Sequence, residues 1–328
     1  MEATSSVPIG VLVMAYGTAS GPDDIERYYT DIRGGRPPSP EHLQELKDRY
    51  AAIGNVFPLL DTTRAQAQGL VERLNAQGPA TFRPYLGMKH SPPFIPEGVA
   101  AMRADGVTRG VGIVMAPHWS GMSVETYVQR TLEAAAGEGP EFTFVRSYHD
   151  HPAFIDLLAT RVDEALERLS DDERQGAAAI FSAHSLPTRT LEDGSMRCKY
   201  CDCAGPCRYR EGLRTTADLV AAKLGLPHHT IAWQSAGRTD DPWWGPAIED
   251  VIPQLAAAGH PAVVVCSAGF VADHLEILFD LDIEAAQIAR EAGVRFERTR
   301  MPNADPEYLD VLARIVRDHL AAAELELR

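Results

Sequence analysis

The sequence predicts an α/β protein made of two similar domains, each a parallel sheet with helices on both faces. Three observations lead there. First, a short apolar run that breaks into a polar turn occurs repeatedly: residues 10–15 before Tyr16-Gly17-Thr18, 111–116 before Pro117-His118-Trp119, 178–183 before His184-Ser185-Leu186-Pro187, and 262–266 before Ser267-Ala268-Gly269. Such runs, bounded by turn residues, read as buried strands. Second, helix-compatible stretches lie between them, at 39–53, 62–75, 152–169 and 212–224. Strands alternating with helices build parallel sheets, because a parallel neighbour is reached only by a crossover. Third, the copies fall two in each half of a chain of 328 residues, enough for two domains of ordinary size facing a cleft.

The first strand ends at Tyr16 and leads into a polar helical segment from Asp23. The turn cluster Gly137-Glu138-Gly139-Pro140 marks a crossover, giving a first domain over 1–138 and a second over 139–302. The remaining segment, 303–328, ends in a helix expected to pack back on the first domain. A net charge of -15 argues against nonspecific binding to nucleic acid or anionic lipid. An anionic ligand would need a local arginine cluster, whereas metal cations are attracted generally. No apolar run approaches the ~18 residues of a spanning helix. Met1-Glu2-Ala3-Thr4-Ser5-Ser6 has neither the basic start nor the apolar centre of a signal peptide. The expectation is a cytoplasmic protein without membrane insertion, and a monomer.

The most informative stretch is 262–286. Its apolar strand is followed by carboxylates at Asp273, Glu276, Asp280 and Glu284, steps of three and four that predict one helix face. Like charges so spaced repel by a few tenths of a kcal/mol per pair, about 0.2–0.5. The stripe is therefore a solvated acidic face, or a surface used by a cation or proton shuttle. Its place favours use, since open α/β sheets keep their sites beyond the carboxyl ends of strands. Tyr16, His118, His184, His274 and Glu276 all follow apolar runs and would gather on such edges. His118 beside Trp119 reads more simply as a packed, hydrogen-bonded histidine. His184 is stronger, because the imidazole directly follows a buried strand and Pro187 stiffens its turn. Facing a carboxylate such as Glu276, it could accept protons near neutral pH.

The motifs Met14-Ala15-Tyr16-Gly17-Thr18, Asp24-Ile25-Glu26-Arg27-Tyr28-Tyr29, Leu46-Lys47-Asp48-Arg49-Tyr50, Ser182-Ala183-His184-Ser185-Leu186-Pro187, Trp233-Gln234-Ser235 and Gly269-Phe270-Val271-Ala272-Asp273-His274-Leu275-Glu276 resemble the ferrochelatases. The likeness is greatest to the soluble bacterial branch that inserts iron into coproporphyrin, and runs in order from residue 9 to about Pro302-Asn303-Ala304. It implies two Rossmann-like domains with parallel four-stranded sheets flanked by helices, a porphyrin cleft between them, and insertion of Fe(II) into coproporphyrin III without redox change. By the same resemblance, His184 takes pyrrole protons, Glu276 is its acidic partner, and Tyr16 is axial ligand on the opposite face. Asp280 and Glu284 continue the acidic path of the metal. Arg33, Arg49 and the Tyr127 hydroxyl match propionate contacts, with Arg36 and Lys89 weaker and Trp233 a further substrate-binding candidate. Phe57 stands where relatives often place a serine that bonds a propionate, so it would instead pack against the macrocycle.

Four of the five cysteines crowd into Cys198, Cys201, Cys203 and Cys207, a C-x2-C-x-C-x3-C spacing within an insertion at 195–208. Thiolates that close can wrap one compact centre, with Gly205-Pro206 turning the chain round it. The family resemblance points to a [2Fe-2S] cluster; a zinc site with four cysteine ligands, or plain thiols and disulfides, are the alternatives. Metal insertion needs no electrons, so such a cluster would be structural or a sensor, holding the segment beside His184. Cys266, inside an apolar run, reads as a buried small hydrophobe. Two competing functions remain: a cobalt or nickel tetrapyrrole chelatase, and an iron-sulfur or haem-sensing porphyrin-binding protein without turnover. Transient contacts with other haem-pathway enzymes are a further expectation.

Overall fold

The computed structural model describes residues 7–326 except 202 and 204. The start of the chain, read above as lacking a leader, lies outside the described residues, as do Asp202 and Ala204 of the cysteine segment and the last two residues. The fold is α/β, in two compact units.

Unit 1 comprises the chain up to Ala116, Ser123–Arg146 and the segment from Pro302 onward. Its sheet contains β1 (Ile9–Ala15), β2 (Phe82–Met88), β3 (Arg109–Val114) and β4 (Glu141–Val145), all parallel, in the order β2-β1-β3-β4. Val11, Leu12, Val13 and Met14 of β1 are fully buried, each such side chain contributing roughly 1.5–3 kcal/mol. The terminal helix Pro306–Glu326 packs against the helix Leu59–Asn75. Gln66 Nε2 donates to the Asn303 carbonyl at 2.8 Å, and Arg73 Nε pairs with Asp310 at 2.6 Å.

Unit 2 comprises Pro117–Met122 and Ser147–Met301. It contains β5 (Ala178–His184), β6 (Thr188–Thr190), β7 (Met196–Cys198), β8 (His229–Gln234), β9 (Ala262–Cys266) and β10 (Arg295–Arg298). The parallel sheet runs β10-β9-β5-β8, and β6-β7 is a separate antiparallel hairpin. Ile180, Ile248, Val263, Val265, Ile277 and Leu281 form its core between sheet and helices. This partition differs from a single boundary near residue 138. The turn at Pro117-His118-Trp119 belongs to unit 2 because His118 Nε2 meets Thr216 Oγ1 at 2.9 Å and the Arg208 guanidinium lies 4.3 Å from the Trp119 ring centre.

The apolar runs are the central pair of strands in each sheet, whereas the strands without such runs are the edges. β4 and β10 carry Glu141, Arg295, Glu297 and Arg298, since an edge strand meets solvent on one side. The helix expected at 39–53 is Pro40–Ala52, where Ser39 Oγ accepts from the His42 N–H at 3.3 Å. The expected helix at 212 begins instead at Arg208, directly after Cys207. The acidic stripe departs furthest: its helix is a single turn, Leu275–Leu278, then a π-helical stretch, Asp280–Ala285, then Ala286–Glu291. One continuous acidic face is therefore not formed. Asp273 precedes the helix and pairs with Arg298 at 3.5 Å, Asp280 is 2% exposed, and Glu284 is open to solvent. Among the described residues, no helix is long and apolar enough to cross a membrane.

Candidate active site

In unit 2 the site is built at the carboxyl ends of β5, β8 and β9. Register places His184 opposite Gln234 and Ala183 opposite Trp233. The turn that follows is pinned, with the Ser185 N–H donating to the Gln234 carbonyl at 2.8 Å. His184 Nδ1 donates to the Ser185 carbonyl, which leaves Nε2 as the free ring nitrogen, 3.5 Å from Glu276 Oε1. The ring is one-third exposed, at 33%. Burial disfavours its charge, yet Glu276, the Ser185 carbonyl and Asp280 together outweigh that and hold the pKa up at about 9. At neutral pH His184 and Glu276 therefore form an imidazolium–carboxylate pair, and Nε2 must shed its proton before it can take another or bind a metal.

Glu276 is set by its backbone. Its N–H donates to His274 Nδ1 at 3.1 Å, and its carbonyl accepts from Gln234 Nε2 at 2.9 Å. Gln234 Oε1 in turn accepts from Ser182 Oγ at 2.8 Å and Ser267 Oγ at 3.1 Å. This amide thus ties three strand ends to the helix start. Gly269 brings the loop flat onto β5, its N–H donating to the Ser182 carbonyl at 3.0 Å. A Cβ there would stand 2.5 Å from Ala183 Cβ. His274 caps the short helix, a role that requires a bare Nδ1, and burial lowers its pKa in keeping with a neutral ring. Asp280 accepts from the Ser235 hydroxyl, and Ser235 adopts a left-handed φ of 58°, an uncommon backbone state for a side-chain-bearing residue that clusters at functional sites. Trp233 is 1% exposed and packed between Tyr209 and Trp244. It lies inside the unit opposite Ala183 and offers no open face for a substrate.

In unit 1 a second group forms beyond β1 and β2. Tyr16 follows β1 and is 42% exposed. The Lys89 N–H donates to the Ala15 carbonyl at 2.9 Å and the His90 N–H to the Tyr16 carbonyl at 3.0 Å, so the two strands stay zipped past their ends. Gly17, at φ 97°, lies so close to Ser91 that a Cβ would come within 2.5 Å of its Oγ. The Tyr16 ring sits 4.6 Å from that of His90, and Lys89 Nζ lies 5.9 Å from the Tyr16 ring centre and 5.6 Å from that of Tyr127. Burial, then the charge of Arg130, lowers the Lys89 pKa to about 8. Burial also takes His90 down to about 4 despite its 2.7 Å contact with Asp31. Tyr127 is 2% exposed, and burial pushes its phenol far up. Arg33, after the helix Ile25–Ile32, and Arg36 are exposed, and Arg49 is half-buried on the helix Pro40–Ala52. Phe57 stacks on Tyr50 with ring centres 4.5 Å apart.

The cysteines lie in unit 2, all four buried. Their sulfurs fall into two pairs, Cys198 and Cys207 with Sγ atoms 3.2 Å apart, and Cys201 and Cys203 as a disulfide. Among the described residues no three His, Cys, Asp or Glu side chains gather as a metal site, so the single four-sulfur centre expected from the spacing is not formed. The chemistry of the donors nevertheless suits bound thiolates. Trp244 Nε1 donates to Cys198 Sγ at 3.2 Å, and Cys207 opens the helix Arg208–Leu224. Contact with Cys198 and, against burial, the backbone N–H of Arg210 draw the Cys207 thiol down, while contact with Cys207 and burial raise Cys198, so the two sulfurs share one proton as a pair. Cys266 is buried in β9, and burial raises its thiol to about 12.

A strand-end imidazole paired with a carboxylate, on parallel α/β units, marks the chain as an α/β protein of the chelatase fold. Among solved structures, SirB from Bacillus subtilis with Fe3+ aligns over 97% of each chain with a TM-score of 0.59 at 9% identity, a likeness of fold. The ferrochelatase family profile matches residues 8–320, and the chain belongs to the ferrochelatase family of enzymes. Curated relatives include the coproporphyrin III ferrochelatase of Anoxybacillus flavithermus, 45% identical over 95% of this chain and 96% of its own length. That of Bacillus subtilis is 44% identical over 94% and 96%.

Proposed function

We propose that this chain inserts Fe(II) into coproporphyrin III in haem biosynthesis, in the cytoplasm. The observation that carries the reading is the His184 Nε2–Glu276 pair at 3.5 Å with Asp280 behind it, taken with relatives named coproporphyrin III ferrochelatase along nearly the whole chain. A free-base porphyrin must lose two N–H protons while the ion loses its water. Neutral His184 would take those protons at Nε2 and pass them to Glu276. Asp280 and Glu284 offer oxygen ligands that hold a divalent ion without trapping it. Tyr16 would serve as axial ligand to the product iron. Lys89, Arg33 and Arg49 would meet propionates, with Tyr127 and Trp233 shaping the site from within their units.

With the Cys201–Cys203 disulfide reduced by a cellular thiol, Cys198, Cys201, Cys203 and Cys207 would hold a [2Fe-2S] cluster, with zinc the alternative. Bound there, a cluster supplies a redox-responsive brace, since metal insertion itself moves no electrons. The purified protein is expected to be brown with about two irons per chain; zinc in its place decides for the alternative.

The deciding experiment is anaerobic Fe(II) insertion into coproporphyrin III and protoporphyrin IX, read by visible absorbance. Wild type should metallate coproporphyrin, and His184→Ala should lose about two or more orders of magnitude while still binding porphyrin. A wild type that binds coproporphyrin without metallating it is a binding protein, and one that prefers cobalt or nickel is a different chelatase.

A further inference from the structure

We infer that Tyr209 and Trp244 are positioning residues that tie the outer two cysteines to the main chain around His184. The inference deepens the proposed function, and its link to a bound metal rests on that reading of the cysteines.

Two hydrogen-bonded routes begin at one place. Cys198 and Cys207 Sγ lie 3.2 Å apart. From Cys198 the route passes through the Trp244 indole, whose Nε1 donates to the sulfur at 3.2 Å. The main chain of Trp244 grips the turn after the histidine twice. Its N–H donates to the Leu186 carbonyl at 3.1 Å, and its carbonyl accepts from Ser185 Oγ at 2.8 Å. From Cys207 the route is shorter. That residue opens the helix Arg208–Leu224, and Tyr209, two residues on, donates its hydroxyl to the His184 carbonyl at 2.9 Å. The routes thus end on consecutive residues, 184 to 186.

Packing makes them rigid. Trp233, the register partner of Ala183, carries Tyr209 at 5.4 Å and Trp244 at 6.2 Å between ring centres. All three rings are buried, so a shift of either sulfur cannot be absorbed by solvent-filled slack. A third strap lies beside them, the Lys199 N–H donating to the Pro187 carbonyl at 2.8 Å. His184 Nδ1 is itself bonded to the Ser185 carbonyl. Moving that peptide turns the ring and re-aims Nε2 relative to Glu276, and a catalytic group tolerates only about 0.5 Å of such displacement. What the cysteines hold therefore sets where the imidazole points.

The test uses the full-length protein and three substitutions. Tyr209→Phe removes only the hydroxyl, Trp244→Phe removes the indole N–H together with part of the ring that packs on Trp233, and Cys198→Ser removes the sulfur. The primary readout is the NMR position of the His184 ring protons, independent of turnover. Cys198→Ser and Tyr209→Phe should both move the His184 lines while leaving those of His229, on the far end of β8, in place. Insertion kcat should fall about three- to tenfold in Tyr209→Phe with KM for porphyrin unchanged. Trp244→Phe should move the same His184 lines and shift the absorption of any cluster present. His184 lines that stay fixed in Cys198→Ser overturn the coupling. If Cys198→Ser does not fold, fixed lines in both Trp244→Phe and Tyr209→Phe overturn it instead. Iron and zinc content of the wild type judge the metal-centre reading separately, because the thiol substitution perturbs the routes whether or not metal is bound.

Discussion

Replacing Glu276 with Gln should lower the pKa of His184 by at least about two units, because the carboxylate supplies both the charge and the hydrogen bond that oppose burial. The wild-type imidazole is held at about 9, above its ordinary 6.5, although burial alone would drive it below that value. With the carboxylate gone, burial remains opposed only by the Ser185 carbonyl and Asp280, so the titration should fall to about 6.5 or lower. The sign follows for stability as well. A histidine whose folded pKa is raised stabilises fully below about pH 6.5 and loses that contribution as pH climbs through about 9. The wild type should therefore exceed Glu276→Gln in stability at pH 6, and the gap should narrow toward pH 9. The assay is an NMR titration of the His184 ring in metal-free protein, with chemical denaturation at both pH values. A variant that still titrates near 9, or a wild type that titrates at 6.5, refutes the reasoning.

Gly269→Ala would force a Cβ within 2.5 Å of Ala183 Cβ. It should cost roughly 1–3 kcal/mol in denaturation and displace Glu276, lowering insertion activity. Arg298 pairs with Asp282 at 2.6 and 2.9 Å and with Asp273 at 3.5 Å, so Arg298→Ala should loosen the π-helical stretch, seen as faster hydrogen exchange over residues 280–285. Lys89 loses its proton near pH 8, so KM for coproporphyrin should rise as pH passes that value, and Lys89→Arg should abolish the rise. Ser235→Ala removes the hydroxyl that donates to Asp280 and should raise KM for Fe(II) several-fold, read by the initial rate against metal concentration.

How much of this was legible in the chain depended on where each residue sits. Central strands such as β1 and β9 are buried on both faces, so Val11 to Val13 and Val263 to Val265 leave unbroken apolar runs. Edge strands leave no such run. β2, with Arg83 and Pro84, carries no strand signal, so the pattern gives no hint of His90 just beyond it, which lies against Tyr16 and pairs with Asp31. His184 and Glu276 were visible because each directly follows a readable strand or turn. Gln234 stands within the Trp233-Gln234-Ser235 motif, but its joining of Ser182, Ser267 and Glu276 depends on three strand ends meeting, which no local pattern encodes. The π-helical stretch was equally hidden: the spacing from Asp273 to Glu284 suits an ordinary helix, and the burial of Asp280 with its bond to Ser235 depends on tertiary structure.

The tautomer of His274 bears on how firmly iron could ever be held. With its Nδ1 committed to closing the first turn of the short helix, that ring lends no lone pair from this nitrogen to a visiting ion. A cation taken up beside His184, as the proposed function requires, would meet one nitrogen donor and a few carboxylate oxygens, a loose and incomplete shell unlike the closed sets that store metals. On the proposed function, four pyrrole nitrogens would hold iron more firmly than this shell, and the ion would pass toward the ring.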